Sequence, residues 1–156
     1  MNFQYLNTPI GKLRLMSNST GLTAIEFEHM YSDTADATQA SDSILANCAS
    51  QLTQYFAGAR EEFDLPLAAS GTQFQQNVWK ALRNIPYGEV RSYRDIAESI
   101  NHVAAVRAVG AANGRNPLPV VVPCHRVIGS DGSLTGFAGG IEMKSQLLQL
   151  EGVLLT

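Results

Sequence analysis

The sequence contains little cysteine and no long apolar run. Only Cys48 and Cys124 occur in 156 residues, whereas small secreted disulfide frameworks use more cysteines. The stretch MNFQYLNTPIG lacks a basic segment followed by an apolar one, so no signal peptide is predicted. The apolar runs fall far short of the roughly 20 residues that cross a bilayer. We therefore expect a cytoplasmic protein with two free thiols and no membrane partner.

Charge is also scarce, and its balance is slightly acidic. Charged residues make up 16% of the chain, hydrophobic residues make up 45%, and the net charge is −3. This composition indicates a soluble globular protein with room for one ordinary domain or two small ones. The net charge alone does not indicate a nucleic-acid partner, although an acidic average can conceal a basic patch.

The N-terminal part has the alternation typical of strands. In GKLRLMS, Leu13 and Leu15 recur at period two, which predicts a half-buried strand. The segment NSTG interrupts this pattern and LTAIEF resumes it, as expected for a meander or hairpin. From Asp42 the apolar residues follow helical spacing, and Cys48 lies on that stripe, so we interpret it as structural.

The segment DLPLAASGT is the best candidate for a linker. It divides the chain into an N-terminal α+β module with linker, residues 1–70, and a C-terminal domain, residues 71–156. The predicted fold class is α+β, with a small antiparallel sheet and helix followed by a mainly helical domain.

Two predicted helices in the second part are joined by a short turn. Thr72 is the expected N-cap of an earlier helix, and Ser92 that of YRDIAESI, with Asp95 completing an acidic capping box. The turn NHV leads into AAVRAVGAANGRN. This order is typical of a helix-turn-helix, whose second helix meets DNA.

The second of these helices is rich in small residues. On a helical wheel, one side carries Val103, Val106, Val109 and Gly110, and the other carries Ala104, Arg107, Ala108 and Ala111. The alanine side allows close approach of another backbone, with Arg107 as its only long side chain. A helix buried on both faces, with Arg107 capping a neighbour, is the alternative. Residues 91–126 are locally basic, which favours a nucleic-acid surface.

The segment VVVPCHRVIGSDG places Cys124 after three valines and before His125. We expect the valines to form a strand that delivers the thiol to a sheltered position, and a second strand to end at the hairpin signal Asp131-Gly132. A reactive thiol needs a base or a positive field nearby.

Three interpretations of this cysteine stay open at the level of residue pattern. A zinc site is a poor fit, because the chain has two cysteines and three scattered histidines. A cysteine hydrolase could use Cys124, His125, Asn116 and Glu151. A buried cysteine beside an interfacial histidine is the structural alternative.

Three segments together resemble a known family. PCHRVIGSDGSLTGFAGGIEMKSQLLQLEG resembles the active-site segment of the O6-alkylguanine-DNA alkyltransferases, also called methylated-DNA–protein-cysteine methyltransferases. GTQFQQNVWKALRNIPYGEVRSYRDIA and RAVGAANGRNP resemble the preceding blocks of that family, in the same order. The resemblance is dense over residues 71–153, and TPIGKLRL resembles the family's N-terminal module.

The resemblance implies single-turnover DNA repair. Cys124 would take the alkyl group from O6 of guanine irreversibly, and O4-alkylthymine is a second candidate substrate. His125 would accept the thiol proton through a water molecule, and Glu151 would orient the imidazole. Asn116 would hold the active-site turn and its water, and Tyr93 would hydrogen-bond the target guanine and crowd the phosphate.

The resemblance also implies how the DNA is held. The target nucleotide would be flipped out of the duplex, with the second helix in the minor groove. The implied DNA-binding residues are Tyr93, Arg94, Ala105, Arg107, Ala108 and Gly110. The implied base pocket comprises Tyr93, the carbonyls of Cys124 and Val127, and the amide of Ala138.

Some relatives carry zinc in the N-terminal module, but His29 and Cys48 are too few to build that site. We therefore expect neither a metal nor a cofactor. A monomer is expected because no long exposed apolar stripe stands out, and double-stranded DNA with alkylated bases is the expected partner.

Overall fold

The computed structural model describes residues 1–33 and 36–153. The chain divides into two compact units, Met1–Ser70 and Gly71–Thr156. In its described residues the first unit combines a sheet with one α-helix, and the second unit is mainly helical, as expected for the predicted α+β class. None of the helices in the described ranges is both long and apolar enough to cross a membrane.

A four-stranded sheet forms most of the first unit, in the order β3-β2-β1-β4. Strands β1, β2 and β3 pair antiparallel, and the two-residue strand β4 adds a parallel edge to β1. The sequence pattern predicted the second and third of these strands. The strands are β1 (Asn2–Thr8), β2 (Gly11–Ser17), β3 (Leu22–Glu26) and β4 (Thr38–Gln39).

The prediction that β2 is half-buried is wrong. Leu13 and Leu15 are buried, but so is Arg14 between them. The guanidinium of Arg14 donates to Glu26 across the β2–β3 pair and to the carbonyl oxygen of Ser32 at 2.7 Å. Because an ion pair with several hydrogen bonds makes burial of the polar face tolerable, the alternation of polar and apolar residues in β2 did not predict which of its side chains are exposed.

Helix α1 (Ser43–Phe56) completes the first unit. The carboxylate of Asp42 caps it by accepting from the Leu45 amide at 2.8 Å, and it also accepts from the Ser17 hydroxyl at 2.6 Å. The cap therefore ties the helix to the sheet as well as satisfying its first turn. Cys48 is fully buried on the apolar stripe of α1, as predicted for a structural cysteine.

Two helices of the second unit begin at the predicted caps. Helix α2 (Gln73–Arg83) starts with a capping box between Thr72 and Gln75. Helix α3 (Tyr93–Ser99) starts with the corresponding box between Ser92 and Asp95. Strand β5 (Arg91–Ser92) precedes α3, so Tyr93 is the first residue of that helix.

Helix α4 (Val106–Gly114) follows α3 after a short connection and completes the helix-turn-helix. It begins later than the sequence pattern suggested, and Val103 and Ala104 precede it. Its small-residue face is exposed, while Val109, Ala112 and Asn113 are buried. The alternative of a helix buried on both faces is therefore wrong. Trp79 of α2 donates from Nε1 to the carbonyl oxygen of Ala112 at 2.9 Å and fixes α4 on its inner side.

The three valines before Cys124 do not form a strand. Val120 has a φ of +73°, and only an isolated bridge joins Pro119 and Val122. Prolines at both ends of the run cannot donate to a ladder, so the segment folds into a buried turn. The left-handed conformation of a branched residue is a strained position that the surrounding packing must hold.

The chain leaves this turn through a single 3-10 turn, Cys124–Arg126. Strand β6 (Val127–Ile128) follows and pairs in parallel with β5, not with a hairpin partner. Asp131-Gly132 forms a turn with Gly132 at a φ of +85°, so the turn signal was correct and the hairpin was not. Helix α5 (Ile141–Leu150) ends the second unit.

Candidate active site

Cys124 is the first residue of the 3-10 turn and is 5% exposed. Burial raises the pKa of its thiol to about 11, while a hydrogen bond from the Asn116 side chain and the charge of Lys144 act in the opposite direction. The thiol is therefore protonated at neutral pH. Because the thiolate is the nucleophile, chemistry at this sulfur needs a group that removes the proton.

The neighbouring His125 is fully buried and paired with Glu151. Its Nε2 lies 2.6 Å from Oε2 of Glu151. Since a carboxylate only accepts, we assign the ring proton to Nε2, which leaves the lone pair on Nδ1. Within the described part of the chain, Nδ1 has no hydrogen-bond partner. His125 is thus arranged as a base oriented by a carboxylate.

The electrostatic surroundings keep this imidazole neutral. Burial lowers the pKa of His125, and the charges of Arg126 and Lys144 lower it further, against the opposing effect of Glu151. A neutral imidazole at physiological pH is able to accept a proton.

Arg126 was not among the predicted site residues, yet it shares the carboxylate of Glu151. Its Nε donates to Oε1 at 2.8 Å and its Nη2 to Oε2 at 3.1 Å. The amide of Gly88 also donates to Oε1, at 3.2 Å. The fork of donors marks a bidentate pair. The sequence signals for it were its position directly after Cys-His and its place in the locally basic span 91–126.

Asn116 holds the turn that leads to the cysteine. Its Nδ2 donates to the carbonyl oxygen of Val122 at 2.8 Å, and its Oδ1 accepts from the Leu118 amide at 3.0 Å. These contacts close the loop around the strained Val120. Asn113, which the sequence analysis missed, lies on α4 with Nδ2 3.5 Å from the carbonyl oxygen of Cys124. Helix α4 therefore reaches the backbone of Cys124.

Tyr93 lies between two glycines. A Cβ at Gly110 of α4 would be 3.9 Å from its ring, and one at Gly136 would be 3.1 Å from its hydroxyl oxygen. The hydroxyl donates to the carbonyl oxygen of Thr135 at 3.0 Å. The structure thus places Tyr93 between the small face of α4 and the loop before α5. Gly110 is half-buried against this ring, a position between the two sides that the wheel distinguished.

Lys144 is a third residue that the sequence analysis missed. It is fully buried, and its Nζ donates to the carbonyl oxygens of Val127 at 2.5 Å and Thr135 at 2.8 Å. Burial lowers its pKa to about 8. Lys144 lies three residues before Leu147 and four before Leu148, so it occupies the apolar stripe of α5. This spacing was the signal in the sequence that could have predicted its burial. A carbonyl oxygen has two lone pairs, so Val127 can still accept another donor.

The remaining predicted residues lie on the surface. Arg94, Arg107, Ala108 and Ala138 are exposed, and Ala105 is the N-cap of α4. The guanidinium groups of Arg94 and Arg107 form no hydrogen bond or ion pair with the described residues. Both are therefore available to an anionic partner. Over residues 1–33 and 36–153, no group of three or more His, Cys, Asp or Glu side chains could hold a metal ion.

Comparison with known proteins assigns both units to one family. Residues 73–153 match the model described as 6-O-methylguanine DNA methyltransferase, DNA binding domain. Residues 1–69 match the model described as 6-O-methylguanine DNA methyltransferase, ribonuclease-like domain.

Individual relatives match over nearly the whole chain. A methylated-DNA–protein-cysteine methyltransferase of Methanosarcina barkeri is 47% identical over 154 residues, covering 97% of each chain. Its counterpart in Mycobacterium tuberculosis is 46% identical over 152 residues, covering 97% of this chain and 92% of the relative. The crystal structure of Mycobacterium tuberculosis OGT in complex with DNA superposes with a TM-score of 0.91 at 46% identity, over 97% of this chain and 92% of that chain. The chain belongs to the 6-O-methylguanine DNA methyltransferase family.

Proposed function

We propose that this protein repairs DNA by transferring the alkyl group of O6-alkylguanine to the sulfur of Cys124, once per molecule. The observation that carries the proposal is that the side chains of Cys124, His125 and Glu151 are all buried in one unit. The same unit exposes the small-residue face of α4. The relatives named above are methylated-DNA–protein-cysteine methyltransferases, and one structural relative is in complex with DNA.

The first chemical step is removal of the thiol proton. The proton of Cys124 passes through one water molecule to Nδ1 of His125, and the electron pair stays on sulfur. The resulting imidazolium is stabilised by Glu151, which lies 2.6 Å from Nε2. This is the arrangement of nucleophile, base and orienting acid, extended by a water molecule.

The second step transfers the alkyl group. The thiolate attacks the alkyl carbon, the S–C bond forms, and the bond between that carbon and O6 of guanine breaks. The guanine leaves with the bonding electrons and takes up a proton, for which the hydroxyl of Tyr93 is the proposed donor. The product is a thioether on Cys124, and no group in the site returns it to a thiol. Each molecule therefore reacts once.

The base is held mainly by backbone groups. The carbonyl oxygens of Cys124 and Val127 accept from the exocyclic amine of guanine, and the amide of Ala138 lies near O6. A pocket built from backbone discriminates by shape and by hydrogen-bond pattern, and the side chain at position 138 matters less. O4-alkylthymine is a second candidate substrate of this pocket.

The DNA is bound through the helix-turn-helix, with α4 in the minor groove. Ala105, Ala108 and Gly110 allow the backbone of the helix to come close to the groove, and Tyr93 crowds the phosphate. The side chain of Arg107 enters the base stack in place of the flipped nucleotide, and Arg94 contributes charge. Flipping costs a few kcal/mol, less at a lesion that already weakens pairing.

The proposed setting is a monomer in the cytoplasm. Both cysteines are free thiols in the structure, which suits a reducing compartment.

An intact-mass experiment tests this function. The protein is mixed with a duplex carrying one O6-methylguanine, and the same duplex with unmodified guanine serves as a control. We expect a gain of one methyl group on the wild type and on Cys48→Ala, and none on Cys124→Ser. Continued demethylation beyond one equivalent, or no mass gain despite binding of the duplex, would contradict the proposal.

A further inference from the structure

The carboxylate of Glu151 binds two neighbouring side chains at once. Oε2 of Glu151 accepts from Nε2 of His125 at 2.6 Å and from Nη2 of Arg126 at 3.1 Å. Oε1 accepts from Nε of Arg126 at 2.8 Å. All three side chains are buried. A single negative charge is thus shared between a permanent cation and a group that can be neutral or charged.

Arg126 has a fixed position in this arrangement. Its Nη1 donates to the carbonyl oxygen of Ile85 at 2.7 Å, and its Cζ lies 5.7 Å from the centre of the Tyr87 ring. The guanidinium is therefore anchored on both sides of the carboxylate fork. A guanidinium group is a cation in proteins, so Arg126 brings a positive charge to the carboxylate.

The charge of Arg126 acts on the resting imidazole together with burial, which has the largest effect in lowering the pKa of His125. A buried carboxylate paired with imidazole alone favours the imidazolium form, because the opposite charge stabilises it. An imidazolium cannot accept the proton of Cys124. With Arg126 on the same carboxylate, the pair Arg126–Glu151 is already neutral overall. The imidazolium form of His125 therefore gains little electrostatic stabilisation from that pair. Lys144 is the other charged group whose field reaches the ring, and it acts in the same direction as Arg126.

Resting on the function proposed above, we propose that Arg126 is a positioning residue of the alkyl transfer, which keeps His125 neutral so that Nδ1 can accept the thiol proton. It touches neither the sulfur nor the base, and it acts through Glu151. When the proton of Cys124 arrives on Nδ1, the thiolate and the imidazolium form together, and the net charge of the buried cluster does not change. Arg126 therefore prevents early protonation without opposing the step itself.

The test separates the charge of Arg126 from its hydrogen bonds. Arg126→Met and Arg126→Gln both remove the charge, and Arg126→Gln keeps a polar hydrogen-bond donor. Arg126→Lys keeps the charge. The ring protonation of His125 is followed by NMR on protein with labelled histidine, with His125→Gln to assign the signal. Single-turnover methyl transfer from an O6-methylguanine duplex is measured over the same pH range.

We expect both uncharged variants to raise the titration midpoint of His125 by about one pH unit or more. The acidic limb of the pH–rate profile for methyl transfer should move to higher pH by the same amount. Arg126→Lys should stay close to the wild type in both the midpoint and the limb. If Arg126→Met does not fold, Arg126→Gln carries the comparison.

Two results would overturn the role of Arg126. One is that the uncharged variants change only the thermal unfolding temperature, while the titration midpoint of His125 and the acidic limb of the methyl-transfer profile stay where they are in the wild type. The other is an equal shift in Arg126→Lys and Arg126→Gln, since the retained charge would then be irrelevant. The NMR titration needs no DNA, so it tests Arg126 even if the wild type takes up no methyl group, a result that would reject the proposed function separately.

Discussion

The hydroxyl group of Tyr93 donates a hydrogen bond to the carbonyl oxygen of Thr135, with 3.0 Å between the two oxygen atoms. The same carbonyl accepts from Nζ of Lys144 at 2.8 Å. The start of α3, the loop before α5 and the buried lysine are thus joined at one acceptor. The position of the phenol oxygen is therefore set before any base enters the site.

Tyr93→Phe tests whether that oxygen takes part in the chemistry. We expect single-turnover methyl transfer to slow by about 100-fold, because the leaving guanine would lose its proposed proton donor. The free energy of unfolding should fall by only about 1 kcal/mol, the contribution of one partly exposed hydrogen bond. Alkylation of Cys124 by iodoacetamide, which needs no base leaving group, should keep its wild-type rate. An unchanged methyl-transfer rate would remove Tyr93 from the mechanism.

Ser92→Ala tests whether the helix cap positions this tyrosine. The variant removes the capping box of α3 directly before Tyr93, and Thr72→Ala removes the matching box of α2 as a control. Each substitution should lower the free energy of unfolding by about 1 kcal/mol in urea. Only Ser92→Ala should also slow methyl transfer at a pH and temperature where both variants are folded. Equal rates in the two variants would show that the cap serves stability alone.

The parts of the fold that the sequence predicted are those with local signals. Thr72 and Ser92 act through residues three positions away, so their caps could be identified without knowledge of the fold. The apolar stripe that buries Cys48 is likewise a property of one helix. Resemblance to a family, not residue spacing, supplied the role assigned to Tyr93, whereas the residue pattern alone named Glu151 as a possible hydrolase carboxylate.

Most of the errors and omissions involve partners distant in the chain. Burial of Arg14 depends on Glu26 in the next strand. The valine turn is the exception, because the prolines that exclude it from a ladder flank it directly in the sequence. Arg126 meets Glu151 at a separation of 25 residues, and Lys144 meets Val127 at a separation of 17. Sequence reasoning predicts that a charged side chain is exposed unless its partners are known, because a charge is buried only where partners compensate it.

Gly110→Ala tests the close approach of α4 to DNA, with Gly114→Ala in the same helix as its control. A Cβ at Gly110 would meet the Tyr93 ring only at 3.9 Å, and one at Gly114 would meet nothing within 4 Å. Both variants should fold and gain about 0.5–1 kcal/mol from helix propensity. Affinity for duplex DNA should fall in Gly110→Ala and stay unchanged in Gly114→Ala. Equal affinities would contradict the placement of Gly110 at the groove.

Lys144→Met tests the influence of the buried ammonium on the thiol. The charge of Lys144 lowers the pKa of Cys124, so its removal should raise that pKa further. Below the thiol pKa the alkylation rate follows the thiolate fraction, and a rise of one unit reduces it tenfold. At pH 7 we expect alkylation of Cys124 by iodoacetamide to slow by about three- to tenfold. Lys80→Met, an exposed lysine of α2, should leave the rate unchanged, and an unchanged rate in Lys144→Met would contradict the coupling.

The same lysine predicts a pH dependence of stability. Burial lowers the pKa of Lys144 from 10.5 to about 8, so between these values the unfolded chain binds a proton that the folded chain does not. The free energy of unfolding contributed by Lys144 should therefore rise with pH across this window, on the order of 3 kcal/mol in total. Below pH 8 the charged form is present in both states and the contribution is constant. Urea unfolding of the wild type and of Lys144→Met at several pH values measures the difference. A difference that stays flat between pH 8 and 10.5 would contradict the lowered pKa, and one that falls above pH 10.5 would mean that the hydrogen bonds to Val127 and Thr135 outweigh burial and raise the pKa.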